Sequence, residues 1–211
     1  MLKRALLGLL LLSLAATAVA QPTVLVVGDS LSAAMGIPLE KGWVALLQER
    51  IKQQGYPHRV INASVSGETT AGGLSRMPAA LRKHKPAVVL IELGANDGLR
   101  GMSLEPMRIN LSQMIQLSRA AGARPVLFEM RMFANYGEQY TNEFRRSFQQ
   151  LAKREKVTFV PFFLEEIILQ PKYFQPDGLH PTAQAQPKLL NAVWRSIESS
   201  IKATAGAAQR S

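Results

Sequence analysis

The sequence contains no cysteine among its 211 residues. This absence excludes disulfide bonds, a thiol nucleophile, thiolate metal ligands and a lipid anchor on cysteine. The fold must therefore be stabilised by a hydrophobic core, which the chain length and an apolar fraction of 47% permit. Histidine is scarce as well. A histidine base can only be His58, His84 or His180.

Long hydrophobic runs are also absent, apart from one at the N-terminus. Lys3 and Arg4 precede the apolar residues 5–14, and the small residues 18–20 follow them. This order is typical of a cleavable signal peptide, and the run is shorter than the roughly 20 apolar residues that span a membrane. We expect residues 1–20 to be a signal peptide cleaved after Ala20, and the protein to be periplasmic or secreted. An uncleaved anchor is the alternative.

Acidic residues are few relative to basic ones. The 25 Lys and Arg residues, less Lys3 and Arg4 of the signal peptide, outweigh 15 Asp and Glu residues and leave a net charge of +8. The basic runs at residues 82–85 and 145–146 are not interleaved with aromatic residues, as a nucleic-acid site would be. The sequence thus predicts no nucleic-acid partner, and at most weak contact with an anionic lipid surface.

Predicted strands and helices alternate along the chain. β-rich apolar runs at residues 23–27, 59–63, 87–94, 125–129 and 157–160 predict strands, and amphipathic segments between them predict helices. This order predicts one α/β domain over residues 21–203, a parallel sheet with helices on both faces. Thr182 is a candidate cap for a last helix at about residues 183–201. The small and polar residues 204–211 predict a disordered tail.

Four polar clusters follow strands or precede the last helix. They lie at residues 28–30, 62–67, 94–98 and 177–181. Each is also explained by a turn or a helix cap. Together they supply the groups for acyl transfer. Ser30 is the candidate nucleophile, and His180 is its candidate base because the other two histidines precede strands. Asp177, three residues earlier, can orient the imidazole.

Charge that develops on a substrate oxygen needs fixed hydrogen-bond donors. The backbone N–H groups of Ser30 and Gly67 and the side-chain amide of Asn96 are the three candidates. Glycine at position 67 permits close approach of the backbone to a ligand.

The segments GDSLSA, NASVSGETTAGG, LGANDGLRG and DGLHP resemble, in this order, the four blocks of the SGNH/GDSL hydrolase family. Within it the chain is similar to bacterial periplasmic multifunctional esterases. The resemblance implies a three-layer α/β/α sandwich, flavodoxin-like, with a five-stranded parallel sheet. It implies Ser30 as nucleophile, His180 as base and Asp177 as its partner, with Ser30, Gly67 and Asn96 forming the oxyanion hole.

The resemblance also implies activity on acyl esters, thioesters and lysophospholipids. It implies no metal or organic cofactor and no obligatory protein partner. We expect the acyl group to be bound by apolar residues near the site: Leu31, Met132, Phe133, Tyr136, Leu179 and Pro181.

Two alternatives remain at this point. One is a carbohydrate O-acetylesterase of the same family. The other is a non-catalytic periplasmic lipid-binding protein, in which Ser30→Ala would leave function intact. A glycosidase with paired carboxylates would leave the pattern of Ser30, Asn96 and His180 unexplained.

Overall fold

Five parallel strands form one sheet at the centre of the molecule. The structure, a computed structural model, describes residues 21–206, so the predicted signal peptide and residues 207–211 lie outside the described residues. The strands are β1 (Thr23–Gly28), β2 (Arg59–Asn62), β3 (Val88–Glu92), β4 (Arg124–Phe128) and β5 (Thr158–Val160). Their order in the sheet is β2-β1-β3-β4-β5, and every neighbouring pair is parallel.

This strand order places a topological switch point between β1 and β3. The chain moves from β1 to one side to form β2, then crosses back to form β3 on the other side. Loops that leave the carboxyl ends of β1 and β3 therefore diverge and open a crevice between them, which is where ligands bind in open α/β sheets. Ser30 follows β1 and Asn96 follows β3, so both lie at this crevice.

Residues 21–206 form six α-helices, of which all but the shortest contact the sheet. They are α1 (Trp43–Gln53), α2 (Thr70–His84), α3 (Ala95–Leu99), α4 (Leu104–Ala120), α5 (Glu138–Glu155) and α6 (Gln186–Ala205). Helix α1 packs against α6, whereas α2 packs against α4 and α4 against α5. The helices thus form two layers with the sheet between them, and the predicted three-layer α/β/α sandwich is confirmed.

Hydrophobic patterning explains this arrangement. All residues of β1 and β3 are buried, as expected for central strands covered on both faces. In α5 the buried residues Phe144, Phe148 and Leu151 recur at helical spacing on an otherwise polar helix. Among the described residues no helix is long and apolar enough to cross a membrane.

The last helix differs from its prediction at both ends. It begins after Ala185, and the Thr182 side chain caps no N–H group of the helix. Pro187 in the first turn has no N–H to be capped, which lowers the need for a side-chain cap. The helix also continues through Thr204 and Ala205, the first two residues of the predicted tail. The Thr204 hydroxyl, 2.8 Å from Nε2 of the buried His58, ties this end to the core.

Candidate active site

Ser30 lies in the turn that leaves the carboxyl end of β1. Gly28 ends the strand, and a Cβ atom there would lie 2.6 Å from Oε2 of Glu92 and 2.8 Å from Oγ of Ser32. Only glycine therefore lets the strand end so close to these side chains. Ser30 itself is half-buried, and its hydroxyl faces the crevice between β1 and β3.

His180 contacts Ser30 from the other end of the chain. Its Nε2 atom lies 2.9 Å from Oγ of Ser30, and its Nδ1 atom lies 2.7 Å from Oδ2 of Asp177. Asp177 also accepts hydrogen bonds from the backbone N–H groups of Leu179 and His180. These bonds and the imidazole lower the pKa of Asp177 to about 2, so it is ionised at neutral pH. The Asp177 carboxylate thus holds the loop that carries His180 and orients the imidazole ring.

The residues of the three predicted oxyanion donors line the same cleft, but the donors are not equally free. Within residues 21–206 the backbone N–H groups of Ser30 and Gly67 donate no hydrogen bond. Gly67 has a φ of +77°, which side-chain-bearing residues rarely adopt. The Asn96 amide donates instead to Oδ2 of Asp29 at 3.1 Å and to the carbonyl of Glu68 at 3.0 Å. Both of its hydrogens therefore have partners in the protein.

A short helix holds Asn96, and the sequence analysis did not predict it. Helix α3 carries Asn96 and Asp97, and Asp97 accepts hydrogen bonds from both the backbone N–H and the hydroxyl of Thr70 at 2.9 and 2.6 Å. Thr70 begins α2, directly after the loop that contains Gly67. Asp97 thus fastens the Gly67 loop to the helix that carries Asn96.

Two buried carboxyl groups lie close to Ser30. Asp29 is 1% exposed, and its Oδ1 accepts a hydrogen bond from the backbone N–H of Leu31 at 3.0 Å. Glu92 is 0% exposed and accepts from the Ser32 hydroxyl. Burial raises the pKa of Asp29 to about 6, while the bonds from Leu31 and Asn96 and the His180 charge lower it. Burial and the Asp29 charge raise the pKa of Glu92 well above its ordinary value.

The sequence left two roles open for Asp29, either to activate or orient neighbouring groups or to accept hydrogen bonds from backbone N–H groups of the turn, and it assigned no function to Glu92. The hydrogen bond that Asp29 accepts from the N–H of Leu31 is of the second kind. The signal that could have pointed to Glu92 is a single charged residue at the end of an otherwise apolar central strand.

A cleft of about 660 Å³ opens beside the Ser30–His180 contact. Four of the predicted acyl-binding residues line it, namely Leu31, Met132, Phe133 and Leu179. Tyr136 and Pro181 do not: the Tyr136 hydroxyl donates to the carbonyl of Leu99, and Pro181 forms a backbone bridge with Phe174. Five other apolar residues that line the cleft come from the segment after β5, to which the sequence analysis assigned no role: Phe162, Leu164, Ile168, Leu169 and Phe174.

The family follows from comparison with known proteins. The model of the GDSL-like lipase/acylhydrolase family matches residues 26–186, from the second half of β1 to the first residue of α6. The chain belongs to this family. The predicted resemblance is therefore confirmed, and with it the prediction that the protein is an ester hydrolase.

Individual relatives agree with this assignment. Esterase TesA of Pseudomonas aeruginosa is 49% identical over 191 residues, which cover 90% of this chain and 95% of that protein. The Escherichia coli protein thioesterase 1/protease 1/lysophospholipase L1 is 43% identical over 190 residues, or 90% of each chain. A crystal structure of TesA matches with a TM-score of 0.82 at 49% identity, covering 84% of this chain and 99% of that one.

Proposed function

We propose that this protein is a serine hydrolase that cleaves acyl esters and thioesters, lysophospholipids included, through an acyl-enzyme. The observation that carries the proposal is the chain of contacts from Ser30 Oγ through the His180 ring to Asp177, at 2.9 and 2.7 Å, beside an apolar cleft. A serine hydroxyl is a weak nucleophile unless an adjacent base takes its proton, and this geometry supplies that base.

In the first half-reaction Ser30 Oγ attacks the substrate carbonyl carbon while its proton passes to His180 Nε2. The Asp177 carboxylate stabilises the imidazolium that forms. When the tetrahedral intermediate collapses, the bond to the leaving oxygen or sulfur breaks, and His180 returns the proton to that atom. The acyl group remains on Ser30.

In the second half-reaction a water molecule gives its proton to His180 and attacks the acyl carbon. Collapse then releases the carboxylic acid and returns the proton to Ser30. In both halves the substrate oxygen carries negative charge and accepts hydrogen bonds from the N–H groups of Ser30 and Gly67. Asn96 is the third donor, and it must share the hydrogen that Asp29 now accepts.

The cleft favours an acyl chain over a sugar as the group beside the nucleophile. Its walls are mainly aliphatic and aromatic, with Met130, Phe162 and Leu164 buried among them. A carbohydrate O-acetylesterase would instead need polar groups along the cleft to bind hydroxyls. The relatives named esterase and thioesterase 1/protease 1/lysophospholipase L1 support the broader acyl substrates. With the predicted signal peptide, we place this activity outside the cytoplasm.

Hydrolysis of p-nitrophenyl esters of increasing chain length tests the proposal. We expect the wild-type protein to turn these esters over and Ser30→Ala to lose that turnover while its circular dichroism spectrum is unchanged. Equal turnover by both proteins would remove Ser30 as nucleophile. No turnover by the folded wild-type protein would favour the lipid-binding alternative.

A further inference from the structure

Apolar side chains continue from the cleft out to the protein surface. Met35, Phe133, Ile168 and Leu169 line the cleft and are 48%, 42%, 36% and 90% exposed. We call these four residues the apolar rim. They come from the loops after β1, β4 and β5. Among residues 21–206, eight large apolar side chains are markedly exposed, and half of them lie on this rim. Single exposed residues are ordinary, whereas such a cluster marks an interaction surface.

Basic side chains lie in the segments next to the apolar rim. Glu165 and Glu166, which precede Ile168, are ion-paired with Arg131 and with Arg195. On the other side of Leu169, the ammonium groups of Lys172 and Lys188 lie 5.1 and 5.4 Å from the centre of the Tyr173 ring. The charges of Glu165 and Glu166 are thus paired with arginine, while the two lysines add to the chain's positive charge.

We propose that the apolar rim docks on the surface of an anionic phospholipid bilayer, with Leu169 entering the boundary between headgroups and acyl chains. Lys172 and Lys188 then lie at the level of the lipid phosphates. The cleft opens onto the membrane, so a lysophospholipid enters it acyl chain first without crossing water. This inference rests on the proposed function for its substrate, but the docking itself does not depend on catalysis.

A bilayer fits the apolar rim better than a second copy of the chain does. Stable protein interfaces bury about 800 Å² on each partner, far more than four partly exposed side chains supply. A copy seated there would also bring the two lysine pairs towards each other and close both clefts. An anionic membrane instead attracts the lysines and accepts a shallow apolar insertion of this size.

Vesicle sedimentation tests the docking. The protein is the chain from Gln21, which retains every strand and helix described and lacks the apolar N-terminus. It carries Ser30→Ala, so lipid is not consumed. We expect it to sediment with vesicles of mixed phosphatidylglycerol and phosphatidylcholine, to be released by high salt, and to bind pure phosphatidylcholine vesicles only weakly.

Two matched substitutions locate the contact. Leu169→Glu places a charge where the structure puts the insertion, and we expect at least about tenfold weaker binding to the mixed vesicles. Leu39→Glu makes the same change at another apolar side chain, 70% exposed and outside the cleft. We expect this control to bind nearly as well as its parent.

Equal binding by the two variants would overturn the proposal. Equal sedimentation of the parent protein with the mixed vesicles and with pure phosphatidylcholine vesicles would overturn it as well. Light scattering gives a further check. A dimer of the parent protein that Leu169→Glu converts to a monomer would show that the apolar rim is a self-association surface. Ester hydrolysis by the protein with Ser30 intact, measured without vesicles, tests the proposed function separately.

Discussion

Asp29 links the turn that carries Ser30 to the proposed oxyanion hole, and Asp29→Asn probes that link. One carboxylate oxygen accepts from the N–H of Leu31, and the other accepts from the Asn96 amide. An asparagine has a single oxygen, so its own NH₂ group must face one of these two donors. We expect the Asn96 amide to lose its fixed position and the turnover number to fall, with little change in KM.

The size of the effect follows from the burial of Asp29. A buried N–H donor that faces another donor instead of an acceptor costs about 1–3 kcal/mol. Expressed fully in the transition state, this lowers kcat by roughly 5- to 150-fold, since each 1.36 kcal/mol is a factor of about ten. Stability changes less. The rise in the pKa of Asp29 from 3.8 to about 6 costs the ionised folded state on the order of 3 kcal/mol. Asparagine removes that cost, which offsets the lost hydrogen bond.

The pH dependence of stability supplies an independent signature. The pKa of Asp29 is higher in the folded protein than in the unfolded chain, so the folded state binds this proton more tightly. The stabilisation that protonated Asp29 gives the folded state is therefore fully present below pH 3.8, and it is lost as pH rises through about 6. We expect Asp29→Asn to remove this loss from the curve of unfolding free energy against pH.

Steady-state kinetics on p-nitrophenyl butyrate and urea unfolding across this pH range measure both effects. An unchanged kcat in a destabilised variant would show that Asp29 serves the fold alone. A fall in kcat that only tracks the fraction of unfolded protein would lead to the same conclusion.

Two further changes test the same region. Asn96→Ala should lower kcat by about 10²–10³, the loss typical of one oxyanion donor, and a normal rate in steady-state assays would remove Asn96 from the hole. Gly28→Ala should lower the free energy of unfolding by about 1–3 kcal/mol, because its Cβ would press on Glu92 and Ser32. Urea unfolding measures this cost, and an unchanged midpoint would show that the Glu92 side chain can move aside.

The sequence predicted the layers of the fold and the Asp177–His180 pair because both depend on short-range patterns, whereas Ser30, 150 residues from His180, was assigned from its place after a strand and from the family resemblance. Apolar runs locate the strands, and Asp177 lies three residues from its partner. Features that depend on contacts across the sheet were missed. Helix α3 has the composition of a turn, and it is Asp97 bonding to Thr70 that anchors it. In the sequence Asp29 has the features of a turn residue, and only the structure shows that it accepts a hydrogen bond from Asn96.

The residues that line the cleft were also predicted only in part, because residues far apart in the sequence form it. Phe162, Leu164 and Leu169 follow the last strand, and only the path of the chain after β5 brings them into the same cleft as Leu31. Tyr136 was predicted in this wall because it is an apolar residue near the site in the sequence. Its hydroxyl instead donates a hydrogen bond to the carbonyl of Leu99, and the side chain does not line the cleft.

The separation of 150 residues between Ser30 and His180 determines when, during synthesis and folding, the two side chains can meet. Strand β1 is among the first elements to be synthesised, while the loop that carries His180 follows the last strand. His180 can therefore reach Ser30 only after the sheet is complete and this loop has docked on it. A chain that is still being synthesised, or is not yet folded, holds Ser30 without His180 beside it. Hydrolysis through this pair is therefore expected only at the end of folding.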